Sequence, residues 1–162
     1  MTDFAFIGGS TSASSVSSPL SGTLSFLDKD ANSLSMDHSS ANTETWWQNG
    51  EAFNYDIYTT DQHLVTIVLP EDTLAFSFNV GADLGGTSIN AWLTATAFNG
   101  SGIDKYDFNV NRTNTPGFGI YADNSGASCS SITSVTIDPL LWGFGNFSIS
   151  QGNCATVPEP SS

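Results

Sequence analysis

The chain has 162 residues, three of them basic against sixteen acidic, and a net charge of −13. That balance excludes nucleic acid as a partner, because phosphate binding needs clustered cations, and it disfavours docking on an anionic membrane surface. The length suits one domain that buries about two thirds of its unfolded surface, and the acidic excess leaves room for cation binding.

In chain order, residues 1–21 are mostly Ser, Gly, Thr and Ala after a short apolar patch, Phe4–Ile7. They read as a first edge strand followed by a flexible loop. Residues 22–27 read as a strand and 28–45 as a long polar loop. Trp46-Trp47 opens the next ordered region. Residues 53–59 alternate, with Phe53, Tyr55 and Ile57 on one face and Asn54, Asp56 and Tyr58 on the other. After a turn at 60–62, residues 63–69 are β-branched and apolar, a central strand stopped by Pro70. Residues 74–80 alternate again, with Leu74, Phe76, Phe78 and Val80 inward. A glycine-rich loop covers 81–90. Residues 91–98 and 103–110 flank Asn99-Gly-Ser-Gly102, a hairpin signal. Residues 114–117 form a turn by composition, and 118–121, 132–137 and 144–150 supply the last strands. Gly143 and Gly145 let the last of them approach neighbouring backbone closely.

No window carries a sustained helical stripe. Nine or ten short strands at this spacing predict an all-β antiparallel sandwich, jelly-roll-like, spanning residues 1–154. Residues 155–162 are expected to be disordered. No apolar run is long enough to span a membrane, and Met1 is followed by no basic leader. Cys129 and Cys154 allow one pairing, worth about 3 kcal/mol for a loop of roughly 25 residues. Export would oxidise them; two free buried thiols are the alternative.

Three constellations bear on chemistry. Asp28-Lys-Asp-Ala-Asn32, with Asp37 beyond, offers oxygen ligands at alternate positions of a tight loop, as Ca²⁺ prefers. The same spacing also suits an Asx turn in a solvated loop. Calcium held by Asp28, Asp30, Asn32 and Asp37 is the one cofactor the residues suggest. Trp46, Trp47, Tyr58 and Trp92 are candidate rings for stacking on sugars. Since neighbours on a strand point to opposite faces, at least one of the paired tryptophans belongs to the core. No catalytic set emerges. The four glutamates make no paired-carboxylate pattern, no G-x-S-x-G elbow is present, and His38 and His63 are a poor zinc pair.

Val157-Pro-Glu-Pro160 resembles the PEP-CTERM sorting signal of Gram-negative bacteria. Residues 75–81, 117–121, 132–137 and 143–149 look like strands of the jelly-roll domain common in such proteins. The last strand has Gly145-Asn146 where many relatives carry Asp. The resemblance implies export to the outer surface or medium and removal of a C-terminal membrane helix by an exosortase. It also implies a non-enzymatic structural or adhesive role in biofilm or exopolysaccharide. Two further readings stand beside it. One is a carbohydrate-binding module with a calcium-ordered loop. The other is a self-assembling surface subunit in which Phe4–Ile7 adds to another copy's sheet edge.

Overall fold

The computed structural model describes residues 1–41, 55–62, 64–82, 90–99, 102–111, 115–122, 131–138 and 142–152. Every named element they form is a strand: β1 (Thr2–Asp3), β2 (Thr11–Ala13), β3 (Ser15–Ser17), β4 (Thr23–Leu27), β5 (Met36–Ser40), β6 (Asp56–Thr60), β7 (Val65–Val68), β8 (Thr73–Ala82), β9 (Asn90–Phe98), β10 (Ile103–Asn111), β11 (Gly117–Tyr121), β12 (Ser134–Asp138) and β13 (Trp142–Gln151). All pairings are antiparallel. One sheet runs β11-β8-β13-β6-β5-β2, with β1 added on β13; the other runs β10-β9-β12-β7-β4-β3.

The connections make the fold a jelly-roll-like sandwich. The chain passes from one sheet to the other repeatedly, among other places at β6–β7, β8–β9 and β12–β13. The β12–β13 ribbon inserts between the other two, since β13 lies between β6 and β8 while β12 lies between β7 and β9. The sheets meet through aromatic side chains. Phe26 of the six-stranded sheet lies 5.3 Å from Tyr58 and 5.6 Å from Phe144 of the seven-stranded one. One apolar cluster joins Leu24, Phe26, Val65, Ile67, Val135 and Ile137 to Phe76, Phe78, Val80, Phe144, Phe147 and Ile149. Each of these side chains contributes about 1.5–3 kcal/mol by leaving water, and their spacing by twos explains why the segments are strands.

The predicted hairpin is present, with β9 and β10 in register from Phe98↔Ile103 to Asn90↔Asn111. Its turn is held by the Gly102 N–H donating to Asn99 Oδ1 at 2.7 Å. Where the sequence reads as loop, the structure differs twice. Residues 11–13 and 15–17 are short strands rather than flexible chain, and β5 lies inside the stretch expected to be a long loop. The apolar patch also differs: the strand is Thr2–Asp3, not Phe4–Ile7. Residues 3–8 then run as a strap from Phe147 of β13 to Asp56 of β6.

One strand organises this region. The first part of β13, Trp142–Gly145, pairs with β6, and after an irregularity at Asn146 and Phe147 the same edge pairs with β1, Thr2↔Ile149 and Asp3↔Ser148. Asn146 sits at φ 54°, a left-handed conformation that Asn tolerates better than most residues. β6 and β1 therefore share one edge of β13, and a gap opens between them.

Candidate functional site

The predicted calcium ligands divide between two places. Asp28 closes its own loop: its Oδ1 accepts the N–H groups of Asp30 and Asn32, each at 2.9 Å. Lys29 Nζ lies 2.7 Å from Asp30 Oδ2 on the exposed side. Asp37 is not in that loop; it is an exposed residue of β5, paired with Ser12 and Thr59 in the other sheet. The loop spacing is thus used by an Asx-type turn, and among the described residues no three His, Cys, Asp or Glu side chains gather as a metal-holding group. Hydrogen bonding from the Asn32 amide, foremost, holds the Asp28 carboxyl below its ordinary range. A depressed folded-state value means that this loop-closing contribution is present above the ordinary carboxylate pKa and lost as pH falls through the lowered one. The Asn32 amide resonance should titrate with a midpoint below the usual carboxylate range, and Asp28→Ala should abolish that titration.

The predicted sugar-stacking rings also divide. Trp46 and Trp47 lie outside the described residues, as do His63, Cys129, Cys154 and residues 155–162. Trp92 is in β9 opposite Asn109, and only its backbone is described. Tyr58 is corrected outright. It is 2 % exposed, stacked on Phe147 at 5.5 Å, and offers no face to a ligand. The reason is a reversal of the expected faces of β6. The side bearing Asp56 and Tyr58 faces the core, while Ile57 is buried opposite in a small cluster with Ala41.

A buried polar group explains that reversal. His38 of β5 and Asp56 of β6 have side chains 2 % and 7 % exposed, with His38 Nε2 2.8 Å from Asp56 Oδ1. The imidazole lies against the Tyr58 ring at 5.2 Å. The Asp56 carboxylate also takes two successive strap amides: Ile7 N–H donates to Oδ2 at 2.7 Å and Gly8 N–H to Oδ1 at 2.9 Å. A buried carboxylate is tolerable only when it is so supplied with donors. Neither His38 ring nitrogen has a hydrogen bond of ordinary geometry. Burial first, and the Asp56 charge second, push the Tyr58 phenol above its usual range, so it stays protonated. The strap is anchored further by Phe4, whose N–H donates to Phe147 O at 2.9 Å and whose ring meets Phe147 edge-on at 5.7 Å. Under it, in the gap between β1 and β6, lies a pocket of about 70 Å³ lined by Asp3, Phe4, Tyr55, Asp56, Asn146 and their neighbours.

The accessible surface beside this pocket is the outer face of the seven-stranded sheet. Phe76, Phe78 and Val80 of β8 point inward, so Ala75, Ser77 and Asn79 point out. Cross-strand register aligns these residues into rows. Gly119, Ser77, Ser148 and Asp3 form one, across β11, β8, β13 and β1. Tyr121, Ala75 and Ser150 form the next, and Gly117, Asn79 and Gly145 the third. At ~4.8 Å per strand the strip is about 14 Å wide. Ser148 Oγ donates to Asp3 Oδ1, and Asn146 Nδ2 donates to Asn79 Oδ1 at 3.0 Å. A Cβ placed on Gly119 would meet nothing within 4 Å. Tyr121 stands at the margin of this shallow polar floor, 79 % exposed.

This arrangement offers one aromatic face, several hydroxyl and amide groups, one carboxylate and no basic side chain. None of the seven strands carries Lys or Arg. Tyr121 was not singled out among the aromatic residues of the sequence. Its signal was the alternation Gly117-Phe-Gly-Ile-Tyr121, where glycine, glycine and tyrosine share the outward face.

No family model matches the chain, and no curated protein matches it. A solved structure similar to it is that of TmCBM61 in complex with β-1,4-galactotriose, at 15 % identity and a TM-score of 0.38, covering 80 % of this chain and 87 % of that one.

Proposed function

We propose that the chain is a non-enzymatic binding module of an exported surface or matrix protein, and that the outer face of its seven-stranded sheet takes a neutral polysaccharide. The observation that carries this reading is Tyr121, exposed at the edge of a flat floor of Ser77, Ser148, Asn79 and Asp3. An amphipathic ring stacks on the apolar face of a sugar while neighbouring side chains bond its hydroxyls. With Asp3 on the floor and no cation on these strands, acidic glycans are repelled and neutral ones admitted. The exported setting is supported by the Val157–Pro160 resemblance and by the acidic, lysine-poor composition. The non-enzymatic reading is supported by the carboxylates that the described residues offer: Asp56 is committed to the strap and Asp37 lies on β5, beyond β6, which leaves Asp3 alone in these rows, whereas glycoside hydrolysis needs a pair.

Affinity electrophoresis through gels containing hydroxyethylcellulose, galactan, dextran or pectate tests the reading. Retardation by at least one neutral polymer but not by pectate is expected. Tyr121→Ala should remove most of it, with stability changed by no more than about 0.5 kcal/mol because the side chain is exposed. Retention that Tyr121→Ala leaves intact, or absence of retention by every neutral polymer, would overturn it.

A further inference from the structure

We propose that Asp56, backed by His38, is an acid-releasable clasp on the strap formed by residues 3–8, and that strap docking regulates the outer face by delivering Asp3 to it. The second half rests on the reading of that face as a glycan site.

The geometry supplies each part. Asp56 takes two consecutive strap amides, of Ile7 and Gly8. Both bonds are charge-assisted while the carboxylate is ionised; a protonated carboxyl keeps some acceptor capacity but loses that charge and turns one lone-pair site into a donor, so the two bonds weaken. His38 Nε2 lies 2.8 Å from Oδ1, the oxygen that also accepts the Gly8 amide. A second proton on its ring would put an N–H at a buried nitrogen that has no acceptor. Protonating Asp56 therefore weakens the clasp, whereas a charge on His38 alone would face the carboxylate through Nε2 while leaving Nδ1 without an acceptor. The other titratable side chains around the clasp, among the described residues, are Tyr58 on β6 itself, Tyr55 just before it, and Asp3 on the strap, which lines the same pocket. β13 presents Asn146 and Phe147 there, neither of which titrates, and Asp37 is an exposed residue of β5. Asp3 adds negative charge to the pocket and so gives no acid-stable attachment.

The strap is built to move as a unit. Gly8, the second clasped residue, and Gly9 after it sit at φ 71° and 79°, a region open to glycine. Phe6 and Ile7 are 51 % and 64 % exposed, so their side chains add little to the attachment. The attachments are Phe4 on Phe147, the short β1 pairing, the Ser148–Asp3 bond and the Asp56 clasp. Because β1 carries Asp3 in the row with Ser148 and Ser77, loosening the strap removes the one carboxylate that the described residues place in these rows.

Amide protection factors measured by NMR from neutral pH into acid, as far as the fold persists, test the clasp. Ile7 and Gly8 should lose protection by about tenfold or more, as loss of a charge-assisted bond implies, while the core amide of Ile67 keeps its own. Asp56→Asn should show the low protection at every pH, and Phe4→Ala, which leaves the clasp intact, should shift the loss toward higher pH. Protection at Ile7 and Gly8 that is indifferent to pH, or that falls only together with Ile67, overturns the clasp. The coupling is read separately, from retardation in the neutral-polymer gels. Asp56→Asn should weaken it several-fold, and unchanged retardation with the strap open overturns the coupling. If no polymer retards the parent protein at neutral pH, the glycan reading and the coupling fall together, while the protection data still decide the clasp.

Discussion

Gly145→Ala is expected to cost about 3 kcal/mol or more, enough to remove a large share of the stability of a domain this size. A Cβ at this position would lie 2.2 Å from the Asp56 carbonyl oxygen and 2.9 Å from both Cα and Cγ2 of Ile57. Two of those three atoms are backbone of β6, which cannot rotate aside as a side chain would. The strands must therefore separate, and the separation falls where Asp56 is held against His38 and the strap. Urea denaturation followed by circular dichroism measures the loss. Gly119→Ala is the control: its Cβ would meet open space, and the change should stay within about 0.5 kcal/mol. Equal effects at the two positions would show that close approach of β13 to β6 is not what Gly145 provides.

Phe147→Ala is expected to cost about 3–5 kcal/mol. The ring is the hub of the aromatic cluster, 5.5 Å from Tyr58, 5.4 Å from Phe76, 5.7 Å from Phe144 and 5.7 Å from Phe4. Its removal leaves a cavity between four rings that cannot collapse together, because they stand on four different segments. The same substitution takes away the surface on which Phe4 rests. Strap amides should lose protection at neutral pH beyond what global destabilisation accounts for. Phe147→Leu keeps most of the volume and should recover more than half of the loss. Guanidinium midpoints for the three proteins, compared at equal slope, decide this.

How much of this was legible in the sequence follows from what each strand buries. Residues 74–80 and 144–150 announce themselves because Phe76, Phe78 and Val80, and Phe147 and Ile149, alternate with Ser and Asn. The hairpin around residues 99–102 is legible from turn chemistry alone. β5 was not legible, because its inward residues are Met36, His38 and Ser40, and two of the three are polar. Nothing in residues 36–40 shows that the partner of His38 is Asp56, on another strand. The same hidden pairing reversed the expected faces of β6 and turned Tyr58 from a surface ring into a core one. The spacing at 28–32 suits a calcium loop and an Asx turn alike, and only the hydrogen bonds to Asp28 show the turn, while Asp37 joins that set by proximity in the chain alone. The outer floor escaped notice because it is made of unremarkable small residues, brought into rows by register that no single segment encodes.

The dual pairing of β13 sets the order in which the molecule can assemble. Its partners β6 and β1 lie far back along the chain, and Thr2 meets Ile149 across almost the whole described length. Neither can be seated before residues 142–151 have been synthesised. High contact order of this kind places folding in the millisecond-to-second regime. Through that interval the rings later gathered at Phe147 stay available to other chains, so the yield of native protein will depend on dilution or on a holdase that shields them.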